Sequence, residues 1–181
     1  AVDIELHEST PHRLLDELLD GRHDMVILAM PEAIDGRFAV VPLYRERFVV
    51  ALPPEHRLCA QPAIRMMDVS GERYMSRINC EYYDFLRSIR RAQGAVFIDA
   101  YRSEREDWIQ SMVLAGMGIC FLPEYATLFP GIQTRPIVEP EIVRAVSAVT
   151  VAGRRFSPAT AAFMASPAIT SSGRNASPRP N

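Results

Sequence analysis

Polar and reactive side chains gather at three points where a strand is expected to lead into a helix. They are Ser9 and Thr10, then Ser76, Arg77, Asn79 and Cys80, and finally Tyr101. A helix N-terminus offers free N–H groups and the positive end of the helix dipole. An arginine can hold a carboxylate through two parallel hydrogen bonds. These residue types could therefore hold a small anion, with a carboxylate as the favoured chemistry.

Each candidate also has a purely structural interpretation. Ser9 and Thr10 could serve only as the N-cap of the helix that Pro11 begins, and Arg77 could pair with Glu81 or be solvated. The segment at Tyr101 could be a plain structural turn. These alternatives stay open at the level of the sequence.

Cys80 raises a separate question about redox chemistry. A thiol beside an arginine at a helix N-terminus is expected to have a lowered pKa and raised reactivity. The predicted helix after Cys80 holds no second cysteine with which it could pair. The sequence therefore favours a small residue of a polar site over a redox switch.

Catalytic and metal-binding patterns are not found in the 181 residues. The motifs G-x-S-x-G and the P-loop are missing, and Gly116 and Gly118 follow a helix rather than a strand, the reverse of a dinucleotide fingerprint. The four histidines are scattered and the three cysteines lack C-x-x-C spacing. We predict no enzyme activity, no metal and no cofactor, and a reducing, cytoplasmic location.

Charge and hydropathy narrow the class of protein further. The net charge is −2, so the chain carries no basic footprint for direct contact with nucleic acid. No apolar run reaches 18 residues, and no signal peptide is recognisable.

Alternating strands and helices are predicted to position the candidate residues. Residues 2–6 alternate like a strand, leucines on one face of 11–20 predict a helix, and 25–30 is an apolar run typical of a parallel strand. Together they predict a right-handed βαβ unit. Pro42, inside the β-prone stretch 38–52, predicts two strands joined near residues 43–45.

A second α/β unit follows, and the chain ends in a polar tail. The predicted strands are 73–76, 95–100, 118–123 and 145–151; the predicted helices are 81–92, one after a capping box of Ser103 and Glu106, and one from Ser157 to Met164. Residues 166–181 are rich in Ser, Pro, Gly, Asn and Arg, which predicts a flexible tail.

Four stretches resemble the effector-binding domain of LysR-type transcriptional regulators. They are LLDGRHDMVI (18–27), VPLYRERFVVALPPEHRL (41–58), MVLAGMGICFLP (112–123) and the final segment around 156–163, all in family order. Arg57 stands after His56 where the family usually has proline. The resemblance covers roughly residues 2–165.

The resemblance implies a two-lobed α/β fold like that of type 2 periplasmic binding proteins, with two crossovers between the lobes. Matched onto this chain, they fall near Tyr44–Arg45 and Ala145–Val146. Lobe I would be 1–44 plus 146–165, and lobe II 45–145. The resemblance implies that an effector would bind between the lobes, in contact with the polar residues at the three helix starts: Ser9, Thr10, Ser76, Arg77, Asn79, Cys80 and Tyr101.

The resemblance also implies parts that this sequence does not contain. The family's helix-turn-helix, its linker helix and the first strand and helix of the sensing domain would precede residue 1. DNA binding would then belong to that missing N-terminal part, and the parent protein would self-associate into a dimer or tetramer. A type 2 solute-binding protein for a small carboxylate is the alternative function.

Overall fold

The computed structural model describes residues 3–166, which divide into two compact units. Unit 1 runs to Arg45 and resumes at Ala145, and unit 2 is Glu46–Arg144. The chain enters unit 2 inside one long strand and leaves it inside another. Unit 1 is therefore assembled from two distant parts of the chain, whereas unit 2 is one continuous segment.

Helices and strands alternate along the described chain. The helices are α1 (Pro11–Leu19), α2 (Tyr83–Ala92), α3 (Glu106–Leu114) and α4 (Pro158–Met164). The strands are β1 (Val26–Leu28), β2 (Phe38–Leu52), β3 (Ile64–Arg65), β4 (Arg73–Arg77), β5 (Ile98–Ser103), β6 (Cys120–Pro123), β7 (Gln133–Val138) and β8 (Val143–Val151). Short 3₁₀ turns occupy Arg57–Ala60, Met66–Val69 and Glu124–Ala126.

Unit 1 packs α1 against an antiparallel strand pair. Strand β1 pairs with β8 in the register Val26↔Val149, and Leu15 and Leu18 of α1 are buried beside them. The guanidinium of Arg154 donates to the carbonyl oxygens of Leu18 and its neighbour at 2.8 and 2.9 Å. These bonds satisfy carbonyl groups that the end of α1 leaves without a partner in the helix.

The predicted βαβ unit is wrong. Residues 3–10 form no regular secondary structure, and Ile4 and Leu6 are exposed; Val2 lies outside the described residues. An alternating segment becomes a strand only where a sheet edge pairs with it and buries one face. Here β1 pairs antiparallel with β8, a strand from the other end of the chain.

Unit 2 has β2 between two antiparallel neighbours. Residues Phe48–Ala51 pair with β6, and Val49–Leu52 pair with β7, whose other edge carries β3 in parallel. Strands β4 and β5 form a parallel pair, and Tyr74 of β4 bridges to Ile119 just before β6. This pairing of β4 with the segment before β6 brings the ends of β4, α2 and β6 together.

Two further local predictions are wrong in unit 2 and on its border. Strand β2 continues through Pro42 without a joint, because Pro42 lies outside the segment 48–52 that pairs with β6 and β7. The capping box does not form: α3 begins at Glu106 after Arg105, and Ser103, still in β5, accepts the Arg105 N–H at 3.0 Å.

Other elements agree more closely with the sequence. The strand predicted at 73–76 and the last helix are confirmed, the latter with Ser157 accepting the Thr160 N–H at 3.1 Å as its N-cap. Strand β5 begins three residues later than predicted, and the polar tail beyond Ser166 lies outside the described residues. No helix of the described chain is long and apolar enough to cross a membrane.

Candidate functional site

A cavity of about 90 Å³ lies within unit 2, where β4, α2 and β6 meet. Its apolar wall is formed mainly by aromatic and aliphatic side chains, and its polar wall by arginines. The lining residues are Tyr74, Arg77, Cys80, Tyr83, Leu86, Arg87, Arg90, Phe97, Glu106, Phe121, Pro123, Ala126 and Arg144. An apolar pocket with a few convergent polar groups is the usual form of a small-molecule site.

Three aromatic rings form one side of the cavity. Tyr74 lies 5.2 Å from Phe97 and 5.3 Å from Phe121, centroid to centroid, and the two phenylalanines are 5.6 Å apart. Burial raises the pKa of the Tyr74 phenol well above its usual value, so the hydroxyl stays neutral. The guanidinium of Arg90 lies over Phe97, 4.7 Å from the ring centroid, and 5.9 Å from that of Tyr74.

Five alternating charges run along the polar side. Arg144 is 2.8 Å from Glu46 and also pairs with Glu81. Glu81 is 3.1 Å from Arg77, and Arg77 is 3.6 Å from Glu106 at the start of α3. We call Glu46, Arg144, Glu81, Arg77 and Glu106 the ion-pair chain. It neutralises Arg77 and Arg144 within the protein.

Two arginines of the cavity lie outside the ion-pair chain. Within residues 3–166, the side chain of neither Arg87 nor Arg90 forms an ion pair or a hydrogen bond, and the Arg90 guanidinium makes the ring contacts given above. They are three residues apart on α2 and therefore on one face of the helix. The cavity consequently carries unneutralised positive charge.

Cys80 does not have the environment that a reactive thiol needs. Burial raises the pKa of the Cys80 thiol, and the carboxylate of Glu81 raises it further, against smaller opposite contributions from the backbone, Arg77 and Arg144. Cys80 also precedes α2 by three residues rather than capping it. The lowered pKa expected from the sequence is therefore wrong, because burial of the thiol and the nearby Glu81 carboxylate outweigh the opposite effect of Arg77.

Only some of the effector contacts that were predicted in lobe II line the cavity. Arg77 and Cys80 line it, and Arg77 pairs with Glu81, which was the structural alternative. Ser76 is buried within β4, and Asn79 is exposed, with its carbonyl oxygen 3.5 Å from the Arg77 guanidinium. Tyr101 lies opposite Met75 in β5 and packs against the core of unit 2.

Ser9 and Thr10 belong to unit 1. Thr10 is the N-cap residue of α1, but its side chain makes no capping hydrogen bond among the described residues; its carbonyl oxygen accepts the Leu14 N–H at 2.9 Å. Ser9 is half-buried beside it. Contact of either hydroxyl with a ligand stays a prediction.

Sequence reasoning missed most of the cavity. The spacing of Arg87 and Arg90 is visible in the sequence, but basic residues toward the end of a helix are also favoured by the helix dipole alone. No local signal joins Glu46 to Arg144, which are 98 residues apart. The aromatic wall likewise combines residues from β4, β6 and the segment before β5.

Comparison with known proteins agrees with this architecture. A model of the LysR substrate binding domain matches residues 1–166. The hydrogen peroxide-inducible genes activator of Dickeya chrysanthemi is 30% identical over 158 residues, which are 82% of this chain and 50% of that protein. The chain thus spans about half the length of the curated relatives it matches.

Solved structures show the same fold. The C-terminal domain of a probable LysR family transcriptional regulator from Rhodococcus sp. RHA1 has a TM-score of 0.78 at 23% identity, covering 89% of this chain and 82% of that one. The effector binding domain of QuiR in complex with shikimate has a TM-score of 0.77 at 18% identity, covering 92% and 80%. These likenesses confirm the predicted two-lobed, periplasmic-binding-protein-like α/β fold class, and the chain belongs to the LysR substrate-binding domain family.

Proposed function

We propose that this chain is the sensing domain of a transcription regulator and that it binds a small carboxylate. The family assignment supports the regulatory part. The observation that carries the ligand class is the cavity of unit 2, where four arginines face one glutamate on the lining. Guanidinium groups in a partly apolar cavity match the geometry and charge of a carboxylate.

Among the residues that the sequence singled out, we propose contact with some part of the effector, and not necessarily with its carboxylate group. Arg77 and Cys80 are supported by their place on the cavity lining. Ser76, Asn79, Tyr101, Ser9 and Thr10 remain predictions, as does an effector held between the lobes. The complex of the QuiR effector binding domain with shikimate supports a carboxylate as the class of effector.

Contact with DNA is proposed for a part of the protein outside this chain. The net charge of −2 gives this chain no overall excess of positive charge for binding a phosphate backbone. We propose that the regulator acts in the cytoplasm as a homo-oligomer. Ligand binding would shift the equilibrium between conformations of that oligomer, as differential affinity for two states requires.

Peroxide sensing, which appears in the name of the Dickeya relative, is not part of this proposal. The raised pKa of the Cys80 thiol lowers the fraction of thiolate, the form that reacts. Helix α2, which follows Cys80, contains no cysteine, and burial raises the pKa of the Cys120 thiol strongly.

The test has two stages. A thermal-shift screen of aliphatic and aromatic carboxylates is first run on this chain; a ligand at one hundred times its Kd adds about 2.7 kcal/mol of stability. Each hit is then added to the regulator that contains this chain, and DNA occupancy and promoter output are measured. A hit that binds tightly and changes neither would contradict the sensing role and favour a solute-binding protein.

A further inference from the structure

The arginines of the cavity fall into two groups. Arg77 and Arg144 each contact two carboxylates of the ion-pair chain, so their guanidinium N–H groups are largely occupied. Arg87 and Arg90 have no carboxylate partner among residues 3–166. A ligand carboxylate that bound Arg77 would have to compete with Glu81 and Glu106 already in place. The same ligand would meet no competitor at Arg87 and Arg90.

We infer that Arg87 and Arg90 are the pair that binds the carboxylate group. Arg77 lines the same cavity, but it acts as a positioning residue and does not hold the carboxylate. This inference rests on the proposed function for the ligand class and assigns it to residues that neither the sequence motifs nor the family resemblance indicated. Arg77 holds the N-terminal side of α2 through Glu81 and, through Glu106, the start of α3. It thereby fixes the helix that presents the two binding arginines.

The aromatic wall prepares Arg90 for this role. Its guanidinium lies 4.7 Å from the centroid of Phe97 and 5.9 Å from that of Tyr74. A guanidinium held over a ring by a cation–π contact keeps the N–H groups on its edge available. Less side-chain entropy is then lost when those N–H groups bind a carboxylate. Arg87, one turn earlier on the same face, supplies a second positive charge.

The remaining lining defines the rest of the ligand. Leu86, Phe121, Pro123 and Ala126 offer apolar surface beside the arginines. A ligand that buries surface there needs a compact apolar body, and a flat ring can pack against the aromatic wall. The ligand class is therefore a small carboxylate with a flat apolar body.

The test uses benzoate as the probe and isothermal titration calorimetry at constant ionic strength. Benzamide, the uncharged isostere, and acetate, the carboxylate without a ring, separate the two parts of the recognition. The variants are Arg87→Gln, Arg90→Gln and Arg77→Gln, and Arg91→Gln is the matched control. Arg91 has the same charge on the same helix, is exposed, and does not line the cavity.

We expect saturable binding of benzoate and much weaker binding of benzamide and acetate. Arg87→Gln and Arg90→Gln should each raise the Kd of benzoate about tenfold or more, as expected when a charge-assisted hydrogen bond is lost. Arg91→Gln should change it less than about twofold. Arg90→Lys, which keeps the charge and the ring contact but loses the planar fork, should fall between wild type and Arg90→Gln. Thermal unfolding without ligand checks that each variant is folded.

Three results would overturn the inference. The first is that the wild-type chain does not bind benzoate. The second is that wild type, Arg87→Gln and Arg90→Gln bind it with equal Kd values. The third is that, of the variants, folded Arg77→Gln alone loses binding. Failure of the proposed function has a different signature. In that case benzoate binds and the two arginine variants weaken it, yet no bound carboxylate alters DNA occupancy by the regulator.

Discussion

Substitution of Arg144 by methionine should destabilise unit 2 strongly. Glu46 has 1% of its side chain exposed, and Arg144 pairs with it at 2.8 Å and with Glu81 on its other side. Without Arg144, Glu46 keeps a backbone N–H donor, that of Tyr125 at 3.2 Å, but no opposite charge from this pair. Removing one partner of a buried ion pair typically costs about 3–5 kcal/mol, because the other charge is left buried.

Strand β2, which holds Glu46, also supplies a matched control. Arg47 pairs with Glu124 at 3.0 Å, but 42% of the Arg47 side chain is exposed. An exposed pair contributes about 0–1 kcal/mol. Arg47→Met should therefore change the free energy of unfolding by about 1 kcal/mol or less, although it removes the same charge from β2 that Arg144→Met removes from β8.

Urea unfolding of this chain, followed by the fluorescence of Trp108, measures both effects. Trp108 is the one tryptophan of the sequence and lies on α3, so its signal reports on unit 2. The urea midpoint should fall for Arg144→Met with little change in the slope of the transition. The double variant Glu46→Gln/Arg144→Met should lose less stability than the sum of the single variants, because their charges interact directly.

A loss of less than about 1 kcal/mol for Arg144→Met, equal to that of Arg47→Met, would refute this reasoning. It would mean that water reaches Glu46 once Arg144 is gone. Additive single and double variants would also contradict it, since additivity is expected only of side chains that do not interact.

Three further predictions concern packing, reactivity and capping. Gly118→Ala should destabilise by about 1–3 kcal/mol in urea, because the added Cβ would lie 2.4 Å from the Arg73 carbonyl oxygen. The control Gly36→Ala should not destabilise the chain in this way, because a Cβ added at Gly36 meets nothing within 4 Å. Cys80 should react slowly with iodoacetamide at pH 7, followed by peptide mass spectrometry, and faster as pH rises through its raised pKa; rapid alkylation at pH 7 would contradict this. Ser157→Ala should cost about 1 kcal/mol by thermal unfolding, from loss of the α4 N-cap.

The sequence predicted correctly those helices and strands whose ends depend on side chains close to one another in the chain. The helix beginning at Pro11, the N-cap at Ser157 and the buried strand before Pro123 follow from side chains within a few residues of each other. The errors share one physical cause. Whether residues 3–6 form a strand, or β2 breaks at Pro42, depends on which strand pairs there, and the partner comes from a distant part of the chain.

The same distinction explains why the site was only partly predicted. The sequence pointed to Arg77 because an arginine beside a helix N-terminus is a suitable anion ligand. It could show that Glu81 lies four residues away, but not that Glu81 is itself held by Arg144 from β8. That second contact fixes Glu81 beside Arg77, so the charge of Arg77 is neutralised within the protein.

Which arginine can bind a ligand is therefore decided by the distribution of carboxylates and not by the position of the arginine. Glu46 and Arg144 are the first and last residues of unit 2, so their contact joins the two strands at the point where the chain enters and leaves this unit. Glu81 then carries the pairing to Arg77, which leaves Arg87 and Arg90 without a carboxylate among the described residues. Removal of Arg144 should accordingly affect ligand binding as well as stability, because it releases Glu81 next to the positively charged side of the cavity.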